Sequence, residues 1–196
     1  MPDKLYYSYN QLHKLIQETA KPILDSFRPD IIIAIGGGGF IPARILRTFL
    51  KRSKTDKNIP IFAIGLVLYD NDDDGKPLDL VTKTQWISAP SNNNPGVLLR
   101  GKKILIVDEV DDTRSTLSYA VRELQKDIER EAEANPANDV PETEIGVFVL
   151  QNKLKPKHAE LPKSIRYFAG EDVDDIWIVY PWESSDIDLH TEMAEA

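Results

Sequence analysis

The sequence predicts an α/β protein built on a mainly parallel sheet flanked by helices, and three observations carry that reading. Runs of branched apolar residues without polar alternation, at Ile31 to Ile35, Ile61 to Tyr69, Ile104 to Val107 and Ile145 to Leu150, have the pattern of strands buried on both faces. Segments with helical spacing separate them, as parallel strands require, because each crossover must carry the chain back to its starting edge. Two of the strands lead directly into polar sequence suited to ligands: four glycines follow Ile35, and acids with hydroxyl residues follow Val107. Open α/β sheets hold their ligands at the carboxyl ends of the strands.

Between Tyr9 and Phe27, Leu12, Ile16, Ala20, Ile23 and Leu24 recur at helical spacing, which predicts a core-packing helix with Asn10 as its cap. After the first strand, Gly36 to Gly39 precede a helix from about Pro42 to Leu50, proline being suited to a first turn whose N–H groups have no helical partner. Asp70 to Pro95 holds two polar stretches around the more ordered-looking Val81 to Ile87 and reads as a long loop of the kind that forms functional lids or stays disordered. Leu117, Val121 and Leu124 mark the apolar face of the helix that follows the acids. From Lys126 to Glu144 that helix runs into an Ala/Glu-rich tail, broken at Asn135-Pro136, expected to be a solvated insertion without chemistry.

A chain of 196 residues suits one domain of ordinary size, with no internal repeat and no interdomain linker. Cysteine is absent, which excludes disulfides, thiolate metal sites and a cysteine nucleophile. No charged-then-apolar leader opens the sequence and no apolar run approaches the ~20 residues of a membrane helix, so a cytoplasmic protein without a membrane partner is expected. The net charge of −8 disfavours nucleic acid as a partner, since such binding depends on clustered Lys and Arg. It leaves small anions open, because a cation, a helix start and a few lysines override a diffuse background within a cleft.

The stretch from Ile104 to Thr116 carries most of the chemistry. Asp108, Glu109, Asp111 and Asp112 stand at the end of a buried strand, and Thr113, Ser115 and Thr116 open the next helix. Hydroxyls and free N–H groups at a helix start make a phosphate site. Carboxylates beside it accept hydrogen bonds from sugar hydroxyls, with a divalent cation between the anions. The order strand, acids, hydroxyls, helix resembles the phosphoribosyl-pyrophosphate motif of the type I phosphoribosyltransferases. Arg114 stands where that family has Gly and would add a charge to the phosphate site.

Four consecutive glycines after a strand and before a helix suggest an anion loop, since poly-Gly is costly unless the backbone must go where side chains cannot. In the resembling family this is the pyrophosphate loop, with a strained, often cis, peptide. That implies binding through Gly36, Gly37 and Gly38, the peptide at Gly36-Gly37 or beside it turning an N–H toward the leaving group. The arginine that bacterial relatives carry near Gly37 is missing here.

Lys153, after the last strand, and Trp177-Ile178 with Tyr180-Pro181-Trp182-Glu183 are bland singly. Together they resemble the purine pocket of the hypoxanthine-guanine and xanthine-guanine phosphoribosyltransferases, in which a lysine donates to the 6-oxo group, an aromatic ring stacks on the base and backbone near Ile178 meets its 2-position edge. The texture is closest to the fungal enzymes, from Ile31 to Glu183. The resemblance implies a type I phosphoribosyltransferase fold with a core over about 28–150 and a small hood from the N-terminal segment and about 151–196, one domain in all. It implies Asp112 as the group that handles the purine N7 proton, Asp108 and Glu109 against the ribose hydroxyls, and Asp111, Thr113, Arg114, Ser115 and Thr116 around phosphoribosyl pyrophosphate. It further implies Mg²⁺ held by Glu109 and Glu183, a lid over Tyr69 to Trp86 in which Leu68-Tyr69 replaces the family's Ser-Tyr, and a homodimer. The implied reaction transfers phosphoribosyl to hypoxanthine or guanine in purine salvage. Alternatives are a xanthine enzyme and a non-catalytic sensor of phosphoribosyl pyrophosphate. A Walker-type nucleotide site is disfavoured, because no Gly-Lys-Ser/Thr follows Gly36 to Gly39.

Overall fold

In the computed structural model, residues 4–51, 57–71, 77–90, 96–136 and 139–196 are described. Strands β2 (Ile31–Ile35), β3 (Ile61–Asn71), β4 (Pro77–Gln85), β5 (Lys103–Asp111), β6 (Glu144–Lys153) and β7 (Arg166–Val173) form one sheet in the order β4-β3-β2-β5-β6-β7. All pairings are parallel except β3 with β4. The strand order reverses beside β2, so the carboxyl ends of β2 and β5 open onto the crevice where such sheets bind ligands.

Burial on both faces explains the unbroken apolar runs. Ile32, Ala34, Leu105 and Val107 join a core with helices α1 (Tyr9–Ser26) and α2 (Phe40–Phe49), while Ile31, Ile33, Ile104 and Ile106 join a second core against helix α3 (Ser115–Ala134). Alternate residues of one strand thus serve opposite layers. Helix α1 starts before the expected Asn10: the Gln11 N–H donates to Ser8 Oγ (3.3 Å) while the Ser8 N–H donates to Gln11 Oε1 (2.7 Å), a reciprocal cap that fixes the start at Ser8.

Four features depart from expectation. Strand β5 continues past Val107 to Asp111, because β6 stays in register with it as far as Asp111 opposite Asn152, so the acids lie on the strand. The polar stretch after Tyr69 is in part a hairpin, with β4 antiparallel to β3 from Gly65 opposite Gln85 to Asn71 opposite Pro77. Residues 72–76 and 91–95 of the expected lid and loop lie outside the described residues. The sheet does not end near 150, since β6 reaches Lys153 and β7 adds an edge strand. The tail after Lys126 is helical to Ala134 and breaks at Asn135 as expected, but it is not merely solvated: Glu131 on it accepts from the N–H groups of Leu99 and Arg100 (3.0 and 2.9 Å).

Beyond the sheet, β1 (Lys4–Tyr6) pairs in parallel with β8 (Trp177–Val179), and helix α4 (Ile187–Glu195) closes over them, with His190 Nε2 2.9 Å from the Tyr7 carbonyl oxygen. A single 3₁₀ turn, Pro181–Glu183, lies between β8 and α4. No helix among the described residues is long and apolar enough to cross a membrane.

Candidate active site

The glycine loop and the acids of β5 meet side by side. Gly36 donates its N–H to the Ile64 carbonyl (2.6 Å), Gly37 takes φ +95°, and a Cβ on Gly38 would lie 1.7 Å from the Glu109 carboxylate. Gly37 therefore satisfies a left-handed turn, and Gly38 a close approach to the Glu109 carboxylate, which any side chain would displace. The expected cis peptide is not found among the described residues; the unusual backbone is the positive φ of Gly37.

Asp108 to Leu117, with Leu68 from β3, line a cavity of about 170 Å³. Asp108 is buried, and Oδ1 accepts from the Glu109 N–H at 3.0 Å. Burial, and then the charge of Glu109, push its carboxyl well above the ordinary range. Glu109 Oε2 is buried with no hydrogen-bond partner. Two adjacent acids in one low-dielectric place are unfavourable alone and suit a cation or a polyhydroxyl ligand. The described residues hold no cluster of three or more metal-ligating side chains, so the protein on its own offers an incomplete coordination set.

Asp111 turns away from this pair. Its Oδ2 accepts from Arg114 Nε (2.9 Å) and the Tyr167 hydroxyl (2.7 Å), and Lys157 lies 3.5 Å from Oδ1. Arg114 takes φ 69° just before α3, the left-handed conformation that a glycine adopts without cost, and its guanidinium stacks 5.0 Å from the centre of the Tyr167 ring. Its charge is thus committed to a buried partner. Lys157 also donates to the carbonyls of Asp111 (2.7 Å) and Asp112 (2.9 Å), pinning the turn. Thr113 Oγ1 donates to Ser115 Oγ (3.1 Å), and no side chain caps α3, so its first N–H groups face the cavity without a side-chain acceptor.

Asp112, half-exposed, meets the lysines that leave β6. Lys153 donates to Oδ2 at 3.0 Å, and Lys155 lies 2.7 Å from Oδ1, an ion pair off the line of a straight hydrogen bond. Burial alone would raise the Asp112 carboxyl; Lys155 and then Lys153 outweigh it and hold the group below the usual carboxylate range. Asp175, just before β8, sits 3.0 Å from Lys155 and 3.7 Å from Lys153. On β8 the alternation leaves Trp177 62% exposed and Ile178 buried. The Tyr180 hydroxyl donates to Gln151 Oε1 (2.6 Å) and lies 3.2 Å from the Glu109 carbonyl oxygen, while its ring stacks on Trp182 at 4.7 Å. Burial, then the charges of Glu109, Tyr7, Asp108 and Glu183, raise the Tyr180 phenol.

The glycine loop, the β5 acids and Lys153 are therefore contiguous, as expected. Asp175, Lys155, Lys157 and Tyr167 were not singled out as site residues, although Lys153, Lys155 and Lys157 repeat at the period of two that puts extended residues on one side. Asp175 and Tyr167 carry no local signal; only the fold brings them in.

This arrangement of a parallel sheet, a glycine loop and an acid-then-hydroxyl strand end has known counterparts. The phosphoribosyl transferase domain family matches residues 7–183, and the chain belongs to that family. It is 53% identical to the hypoxanthine-guanine phosphoribosyltransferase of Schizosaccharomyces pombe, over 96% of this chain and 93% of that protein. It is 51% identical to xanthine phosphoribosyltransferase 1 of Saccharomyces cerevisiae, over 99% of this chain and 96% of that protein. A crystal structure of a hypothetical protein from Neisseria gonorrhoeae with bound ppGpp superposes with a TM-score of 0.77 at 40% identity, covering 100% of this chain and 97% of that one.

Proposed function

We propose that the protein is a hypoxanthine-guanine phosphoribosyltransferase of purine salvage, acting as one domain over the whole chain, and the contact of Lys153 with Asp112 at the rim of the acid-lined cavity carries the reading. The purine nitrogen displaces pyrophosphate from the anomeric carbon of phosphoribosyl pyrophosphate, giving IMP or GMP. Lys153 turns from Asp112 to the 6-oxo oxygen, and the freed carboxylate of Asp112 holds the N7 proton. Trp177 offers an exposed face for stacking, and the backbone around Ile178 meets the opposite edge of the base. The sugar lies along Asp108 and Glu109. Its 5′-phosphate rests on Thr113, Ser115, Thr116 and the uncapped start of α3. The N–H groups of Gly37 and Gly38 face the departing pyrophosphate, where preorganised donors act most strongly on developing charge, while Gly36 fixes the loop through its N–H bond to the Ile64 carbonyl.

Asp111 and Arg114, paired with each other, hold the turn and line the same cavity, on the side of the phosphate. The buried, unpartnered Oε2 of Glu109 suits a divalent cation. Glu109 and Glu183 would hold Mg²⁺, whose chemistry there would be to offset the charge of the pyrophosphate leaving group. A homodimer in the cytoplasm belongs to the same reading and is checked by sedimentation and cell fractionation.

The 51% identity to a xanthine enzyme supports a second reading, in which xanthine is the preferred base. Nucleotide formation from phosphoribosyl pyrophosphate with adenine, hypoxanthine, guanine and xanthine separates them. Expected is efficient use of hypoxanthine and guanine and poor use of adenine, whose 6-amino group would set a donor against the Lys153 donor, a mismatch of about 1–3 kcal/mol or more. Comparable turnover of adenine would refute the base site, xanthine as the best substrate would select the second reading, and no pyrophosphate release with any base would leave a sensor. Chelating divalent cations should stop turnover.

A further inference from the structure

Two lysines and two aspartates form a closed square at the base site. Lys153 and Lys155 each lie near both Asp112 and Asp175, at 3.0 and 3.7 Å for Lys153 and at 2.7 and 3.0 Å for Lys155. Its charges cancel. The lysine side chains are 10% and 24% exposed, so neither ammonium is replaced by water at little cost, whereas the aspartates are about half-exposed. The cavity-lining part of this square is Asp112; Lys155 and Asp175 stand behind it, outside the lining of the acid cavity.

If Lys153 serves the purine, as the reading above has it, binding must take it out of the square. We infer that Lys155, anchored by Asp175, is a positioning residue for the base: it remains between the two aspartates when Lys153 leaves, so that Lys153 is released to the 6-oxo group without stranding either carboxylate. The inference follows from the double contact of Lys155. A cation that touched Asp112 alone would serve as a second partner; one that also touches Asp175 keeps both acids paired after Lys153 has gone, leaving one net negative charge instead of two bare carboxylates. Without Lys155, both carboxylates would bear on Lys153, and the purine would have to compete with two acids for one ammonium.

The test is steady-state kinetics with guanine and phosphoribosyl pyrophosphate varied separately. Lys155→Met should raise the KM for guanine about tenfold or more and leave that for phosphoribosyl pyrophosphate within about twofold. Lys155→Arg should restore most of the loss. The double variant Lys155→Met/Asp175→Asn should recover part of it as well, because removing the second acid relieves the competition for Lys153. That recovery is something a merely structural lysine would not give. An unchanged guanine KM in Lys155→Met, a parallel rise in both KM values, or a double variant worse than the single would each overturn the inference. Lys153→Met measured alongside separates the two levels: normal guanine efficiency in that variant would remove the base site itself, whatever Lys155 does.

Discussion

The balance at Asp112 sets its chemistry. Two lysines hold its carboxyl below the ordinary range, so it is charged in the free protein, and in the proposed mechanism it becomes a proton partner as Lys153 leaves it. Asp112→Asn keeps the shape and removes the basicity. Nucleotide formation should slow by about 10²-fold or more, the usual contribution of a positioned acid or base. Binding of phosphoribosyl pyrophosphate, read by calorimetry, should persist. Near-normal turnover would take the proton-handling role away from this residue. The identity of Asp112 and Lys153 was legible in the sequence because each follows a recognisable strand. Their direct contact was not, since it joins residues that only the parallel pairing of β5 with β6 makes neighbours. Arg114 illustrates the converse: the sequence suggested a charge at the phosphate site but gave no sign that, in the ligand-free protein, the guanidinium pairs with the buried Asp111.

Among the elements, the glycine loop and β5 depend on each other. The Gly38 position has no room for a Cβ beside the Glu109 carboxylate, yet that carboxylate is the end of a flexible side chain and can be pushed aside. Gly38→Ala should therefore cost little stability, about 1 kcal/mol or less, because a rotamer change relieves the clash. It should weaken binding of phosphoribosyl pyrophosphate about tenfold, since the acid is displaced from its place. A melting temperature that falls sharply while affinity is retained would contradict this. At this scale the sequence was explicit about buried strands and silent about edges. Strand β7 was missed because its residues are mostly half-buried and show neither an unbroken apolar run nor clean alternation. Strand β3 was legible as far as Tyr69, whereas β4 was placed within a long loop because the polar sequence around it hid the pairing that β3 provides.

For the molecule as a whole, the buried acid pair is held at the expense of stability. Asp108 takes up its proton more readily folded than unfolded, chiefly through burial and then through Glu109. Its effect therefore vanishes below the unfolded pKa of about 4, and it destabilises increasingly as pH rises from there through the elevated folded value. In the ligand-free protein, Asp108→Asn should raise the melting temperature at neutral pH. The gain should shrink as pH falls and disappear near pH 3. An equal gain at every pH would assign it to packing instead. Activity should fall in the same variant, the trade expected where a strained site serves a ligand.

The pairing of β1 with β8 has a further consequence, for the order of assembly. Ile178 and Trp177 owe their placement to a strand that begins at Lys4, so two segments far apart in sequence must meet before the proposed base pocket has its wall. The glycine loop and the acids of β5 need only the segments from β2 to β6, all closer together along the chain. During synthesis the proposed phosphate half can take shape before β8 has been made, and the proposed purine half forms later. Closing so long a span carries an entropic cost that little local structure offsets, so the β1–β8 lace is the place where the native protein should first come undone. Hydrogen exchange should find the amides of β8 opening well before those of β5.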